Sequence, residues 1–258
     1  MPLGFFGGIY NNHLALEATL ERVHALGIEG RTWCLGDIGG FGPHPDLALE
    51  LLRASGVPVV QGNYDYALGH GLGDCGCGYT DPRDNRYAVI SYRYTRKWTH
   101  PRHLPWLRDL PPVLRMEAGG HAILLCHGSP RRTNEFLWES TSPDGFLEWL
   151  CTAHGCDVLV CTHTGIPWTR RLDSGRRVIN CGAIGRPANN GKTEVAFALY
   201  DPETDDCTFV PVAYDHERLA AEVRAEGLPA EFAETLTSGW WTSCLEVLPA
   251  RERAAGQF

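Results

Sequence analysis

Four short apolar runs in this chain each end on a residue that can hold a cation, and any fold for it must gather those ends. Trp33-Cys34-Leu35 runs into Gly36-Asp37, and Val57 to Val60 leads to Gly62-Asn63. Ala122 to Cys126 stops at His127, and Val158 to Cys161 is followed by Thr162-His163. Runs of this length, rich in Val, Ile, Leu and Cys and closed by Gly, read as buried strands. Between them the period switches to that of amphipathic helices. Asn12 is set to cap a helix reaching about Leu26, with Gly27 ending it, and Pro45 starts another to about Ala54. This alternation is that of a βαβ architecture. Taken singly, Asp37 and Asn63 are ordinary turn residues, and His127 and His163 are ordinary structural histidines. Four ligand types at four strand ends form a stronger pattern.

In order, the motifs are Gly8-Ile9-Tyr10-Asn11-Asn12, Gly36-Asp37, Gly62-Asn63-Tyr64-Asp65, His127-Gly128 and Thr162-His163-Thr164-Gly165. The series resembles that of the calcineurin-like metallophosphoesterases: D-x-H, G-D, G-N-H-[DE], a lone H, then G-H-x-H. It runs from about Phe5 to Pro187. The resemblance implies a four-layer α/β/β/α sandwich of two facing mixed sheets with two adjacent metal ions. Gly8 stands where the family has its Asp, Tyr10 where it has its His, and Gly165 where it has the second His of G-H-x-H. These three positions serve the first ion and all have changed. The second ion's matching ligands, Asp37, Asn63, His127 and His163, are all present. The implication is a mononuclear site.

Two imidazoles, a carboxylate and an amide make a mixed N/O shell suited to Mn, Fe or Zn, as a divalent or trivalent ion. Such a shell leaves room for a water, the mark of a catalytic site. The family's catalytic His of G-N-H-[DE] is here Tyr64, a poor proton shuttle at neutral pH with an ordinary pKa of about 10. Tyr64, Asp65 and Tyr10 are the candidate catalytic groups, and both tyrosines also read as fillers of the first metal's space. Arg131 and Arg132, just after His127, and Arg186, in the loop after Asn180-Cys181, are candidate anion binders because the guanidinium fork matches phosphate. Surface ion pairing is the alternative for each. Cys181 stands in a turn that the resemblance places near the metals. Trp240 and Trp241 read as core, as dimer contacts or as a stacking surface.

At 258 residues the chain fits one large α/β domain over 1–258, with a helical insert at about 69–110 and a helical extension at about 215–258. Within these, helices are expected over Asn85 to Lys97 and near Trp106, and a helix start at Asn134 to Glu139. Strands are expected over Arg170 to Leu172, Arg177 to Asn180, Glu194 to Tyr200 and Thr208 to Val212. A formal charge of −8 gives no basic footprint for nucleic acid. No apolar run approaches membrane-spanning length and the N-terminus lacks signal-peptide architecture, so no membrane association and a cytoplasmic location are expected. The ten cysteines read as free thiols, Cys75-Gly-Cys77 included, since no second pair stands at zinc-finger spacing.

Three functions fit these residues: a one-metal hydrolase of a small phosphoester or related anion, a metalloenzyme of another reaction class reusing the half-site, and a non-catalytic descendant binding a phosphorylated ligand or a partner. The intact second-metal set argues against the last. The arginines favour the first over the second, and homo-oligomerisation is left open.

Overall fold

The computed structural model describes residues 1–254. In chain order the strands are β1 (Leu3–Phe6), β2 (Thr32–Cys34), β3 (Val113–Ala118), β4 (His121–Cys126), β5 (Val158–Cys161), β6 (Trp168–Arg171), β7 (Arg177–Asn180), β8 (Val195–Asp201) and β9 (Asp206–Val212). The helices are α1 (His13–Ala25), α2 (Pro45–Ser55), α3 (Asn63–Gly69), α4 (Pro82–Trp98), α5 (Leu104–Arg108), α6 (Asp144–Ala153), α7 (His216–Ala225), α8 (Ala230–Ser238) and α9 (Ala250–Ala254).

The strands form two mixed sheets, ordered β2-β1-β8-β9 and β3-β4-β5-β7-β6. In the first, β1 and β2 are parallel and the other pairs antiparallel. In the second, β4, β5 and β7 are parallel and flanked by antiparallel β3 and β6. Strand side chains alternate between faces, and the alternation builds the layers. Leu3 and Phe5 of β1, Ala198 and Tyr200 of β8, Ile123 and Leu125 of β4, and Val158 and Val160 of β5 meet in one core between the sheets. Leu124, Cys126, Leu159 and Cys161 face the other way and bury Leu147, Leu150 and Cys151 of α6. Phe6 and Phe197 do the same for α1 and α2 on the opposite side. The result is the expected α/β/β/α sandwich, with the ends of β2, β4 and β5 at one rim.

Several sequence expectations shift. The Gly62-Asn63-Tyr64-Asp65 turn opens a helix, α3, because Asp65 reaches back to the Gly62 N–H at 2.8 Å and closes the first turn. Val57 to Val60 makes only an isolated bridge, Cys34 to Val59. Asn134 to Glu139 does not begin a helix: the segment is irregular until α6, and the Asn134 side chain is committed to the Gly76 carbonyl at 2.9 Å. Cys75 and Cys77 form a disulfide, correcting the free-thiol reading. Gly76, at φ 61°, turns the chain tightly enough to bring their Cα atoms to 5.3 Å, within disulfide range. The remaining eight cysteines are free. No described helix is long and apolar enough to cross a membrane.

Candidate metal centre

The loops at the rim are held in conformations that most residues avoid. Tyr10, Asn11, Asp37 and His163 have φ of 52°, 60°, 55° and 69°. Asn and Asp tolerate this region, but Tyr and His enter it at a cost of about 1–2 kcal/mol. Gly36 is obligatory, because at φ 81° a Cβ there would stand 2.3 Å from the Gly62 nitrogen. The contact is so close because Asp65, fully buried, accepts three backbone N–H groups at once. These come from Asp37 and Gly62 at 2.8 Å and from Ile38 at 3.0 Å. Asp65 thus staples the β2 loop to the start of α3.

That staple sets Asp37, whose Oδ1 accepts the Tyr64 N–H at 3.0 Å while Oδ2 lies 3.2 Å from His127 Nε2. His127 Nε2 is in turn 3.1 Å from His163 Nδ1. All three residues are buried, and one ligand atom from each falls within 4.8 Å of the others. His127 Nδ1 lies 2.6 Å from the Leu35 carbonyl. A carbonyl can only accept, so Nδ1 carries a proton, and Nε2 faces the carboxylate. A cation, either a second proton on Nε2 or a metal ion, must stand between Nε2 and that carboxylate. Burial alone would push His127 down, but the Asp37 carboxylate holds it above the ordinary imidazole value. Burial and then His127 drive His163 down to about 3, leaving it a neutral donor. His163 Nε2 and Asn63 Oδ1 are buried with no hydrogen-bond partner among the described residues. The donor set fits a transition metal.

Asn63 is oriented from outside the cluster. Its Nδ2 donates to the Cys75 carbonyl at 2.9 Å, so its other amide atom is the free oxygen. The disulfide loop therefore fixes the Asn63 side chain. A cleft of about 320 Å³ beside Asn63 is bounded by Leu72, Cys75, Arg132 and Asn134.

Other candidates take different roles. Tyr64 is buried and its hydroxyl donates to Ser91 on α4 at 3.0 Å, so the catalytic reading of Tyr64 gives way to one of packing. Asp65 is the loop staple, its lone pairs spent on backbone. Arg131 donates to both carboxylate oxygens of Glu135 and stacks on Phe146, so its charge is already partnered. Cys181 is fully buried in the core between the sheets, and burial raises its thiol far above the ordinary value. A second cluster, Asp46, Glu50 and His103, is neutralised by Arg102, which pairs with Glu50, and by Arg53 at 3.3 Å from His103.

The positions that the resemblance assigns to a first ion are closely lined by side chains. A Cβ on Gly8 would lie 3.0 Å from the Tyr10 hydroxyl, and one on Gly165 would lie 3.2 Å from Trp241 and 3.6 Å from Arg186 Nε. Tyr10 is buried edge-on against Phe41, and burial raises its phenol well above the ordinary value. It is a filler rather than a proton carrier. Trp241, fully buried, contributes more to this corner than the tryptophan pair suggested. Its Nε1 donates to the Pro187 carbonyl at 2.7 Å, and no sequence signal beyond that pair marked it.

Residues 1–205 match the sequence profile of the calcineurin-like phosphoesterase superfamily domain. An uncharacterized protein of Methanocaldococcus jannaschii is 27% identical over 245 residues, covering 90% of this chain and 95% of its own. The crystal structure of a metallophosphoesterase from Sphaerobacter thermophilus is 27% identical with a TM-score of 0.69, covering 93% of this chain and 99% of that one. That of a hypothetical protein from Pyrococcus horikoshii is 26% identical with a TM-score of 0.76 over the same shares.

Proposed function

Because this chain belongs to the calcineurin-like phosphoesterase superfamily, we propose that it hydrolyses a small phosphorylated substrate with a single metal ion held by Asp37, Asn63, His127 and His163. The observation that carries this reading is the asymmetry of the centre. Three buried donors converge within 4.8 Å, while the side chains of Tyr10, Trp241 and Arg186 crowd the positions that served a first ion. When bound, such an ion supplies Lewis acidity towards a phosphoryl oxygen and activates a water.

The protein's own residues set the rest. Leu35 and Asp65 lock the tautomer of His127 and the loop of Asp37, so the ligands need little reorganisation. Arg132, on the rim of the 320 Å³ cleft, meets an anionic substrate on entry. The Tyr64 hydroxyl is held by Ser91, so Tyr64 does not take over the role of the family's histidine at the leaving group. This selects substrates whose leaving group departs as a stable anion, such as aryl phosphates or phosphoanhydrides.

The test is release of p-nitrophenol from p-nitrophenyl phosphate with Mn²⁺ or Zn²⁺ added. Activity is expected in the native chain, with loss in both His127→Ala and His163→Ala. Turnover that survives both substitutions rules out this centre.

A further inference from the structure

Among the described residues, Arg186 is a buried charge that makes no ion pair. Elsewhere arginines meet carboxylates: Arg131 pairs with Glu135, Arg170 with Asp144 and Arg177 with Asp205. Arg186 is only 6% exposed, and its Nε has no hydrogen-bond partner among the described residues. Aromatic rings hold it instead. Its Cζ lies 3.4 Å from the centroid of a Trp241 ring, 5.1 Å from that of Phe41 and 5.8 Å from that of Tyr10.

The cage is built to stay in place. Trp241 is fixed at both ends, its backbone N–H to Asn189 at 2.9 Å and its indole N–H to the Pro187 carbonyl at 2.7 Å. Phe41 is wedged edge-on between Tyr10 and Phe232 at 5.3 and 5.1 Å. Ring faces attract a desolvated guanidinium, but they cannot accept its five directed N–H bonds. The buried Nε in particular is left without an acceptor among the described residues, a state that is costly unless a ligand completes it.

The position of the guanidinium says which anion. A Cβ on Gly165 would point at Trp241 and at Arg186 Nε, 3.6 Å away, and one on Gly8 would point at the Tyr10 hydroxyl. Those are the directions along which side chains at the first-metal positions would project. We propose that the Arg186 guanidinium takes the place of the first metal ion, as a fixed cation that receives a phosphate oxygen beside the remaining metal centre. This rests on the reading of that centre as a one-metal phosphoester site. The ligand class is a phosphate mono- or dianion, bound through the fork geometry that a lysine lacks.

The experiment is calorimetric titration of inorganic phosphate into the full-length, metal-supplemented protein, with metal content measured on each sample. Wild type, Arg186→Gln and Arg186→Lys are compared. Loss of a charge-assisted pair predicts roughly 10- to 100-fold weaker binding in Arg186→Gln, with partial recovery in Arg186→Lys and unchanged metal content in both. An Arg186→Gln protein that binds phosphate like the wild type overturns the proposal, even where its thermal stability has dropped, because Arg186 is then a structural anchor only. If the glutamine variant does not fold, the lysine variant decides, and wild-type affinity there overturns the proposal equally. A wild type without metal defeats the one-metal reading instead, and the arginine dependence of phosphate binding is still read from the same titrations.

Discussion

Asp65 separates a structural account of this site from a catalytic one. Its carboxylate accepts N–H groups from Asp37, Ile38 and Gly62 at 2.8 to 3.0 Å and is fully buried. Asp65→Ala leaves three buried donors without partners, at about 1–3 kcal/mol each, so the expected loss is roughly 3–9 kcal/mol. That is comparable with the whole stability of an ordinary domain, about 5–15 kcal/mol. Asp65→Asn keeps one acceptor oxygen but turns an amide nitrogen towards one N–H, so a single clash of donors costs about 1–3 kcal/mol. Urea denaturation of the metal-free proteins, followed by far-ultraviolet circular dichroism, gives both values. The order wild type, Asn, Ala is expected, with metal affinity falling in parallel because Asp37 loses its anchor. An Asp65→Ala protein that loses under about 1 kcal/mol and keeps its metal, while losing turnover, refutes the staple and restores a catalytic role.

Two further outcomes are expected. The triple change Gly8→Asp, Tyr10→His and Gly165→His restores the family's first-metal ligands but is expected to recruit no second ion, since Trp241 and Arg186 occupy the direction from position 165. A metal count of two in a folded triple variant contradicts that. At the far side of the second sheet, burial alone would push the Asp205 carboxyl up, but Arg177 at 2.7 Å and Tyr200 at 3.2 Å hold it below the ordinary value. A depressed folded pKa contributes stability that is present above the unfolded value of about 3.9 and lost as pH falls through the folded one. Asp205→Asn should therefore cost about 1–3 kcal/mol at neutral pH, with the gap to wild type closing as pH falls below the unfolded carboxylate value of about 3.9; a gap independent of pH removes the charge argument.

The layers of the fold were legible because strand faces alternate. Val158 to Cys161 and Ala122 to Cys126 read as buried strands, and β7 falls over Arg177 to Asn180 as expected. The candidate ligands Asp37, His127 and His163 were legible because each follows a strand, whereas Asn63 opens α3 after a run that makes only an isolated bridge. What the sequence hid was mostly long-range. Gly62 to Asp65 looks like a turn, and it becomes a helix through a cap supplied by Asp65. The mixed run Val113 to Ala118 carries no clean alternation, and pairing with β4 along its whole length makes it a strand. Asn134 looks like a helix start, but Gly76, 58 positions earlier, claims its side chain. Arg131, Arg132 and Arg186 were alike as candidates, and only neighbours distant in sequence tell them apart. Glu135 neutralises the first, the cleft exposes the second, and Trp241 holds the third in place.

The central claim is that Asp37, Asn63, His127 and His163 hold one metal ion and that nothing holds a second. Metal content by mass spectrometry, on protein purified without chelator and again after supplementation, tests it most directly. The account predicts one equivalent of a transition metal per chain, falling to near zero in His163→Ala. Two equivalents, or one equivalent retained by His163→Ala, would contradict it.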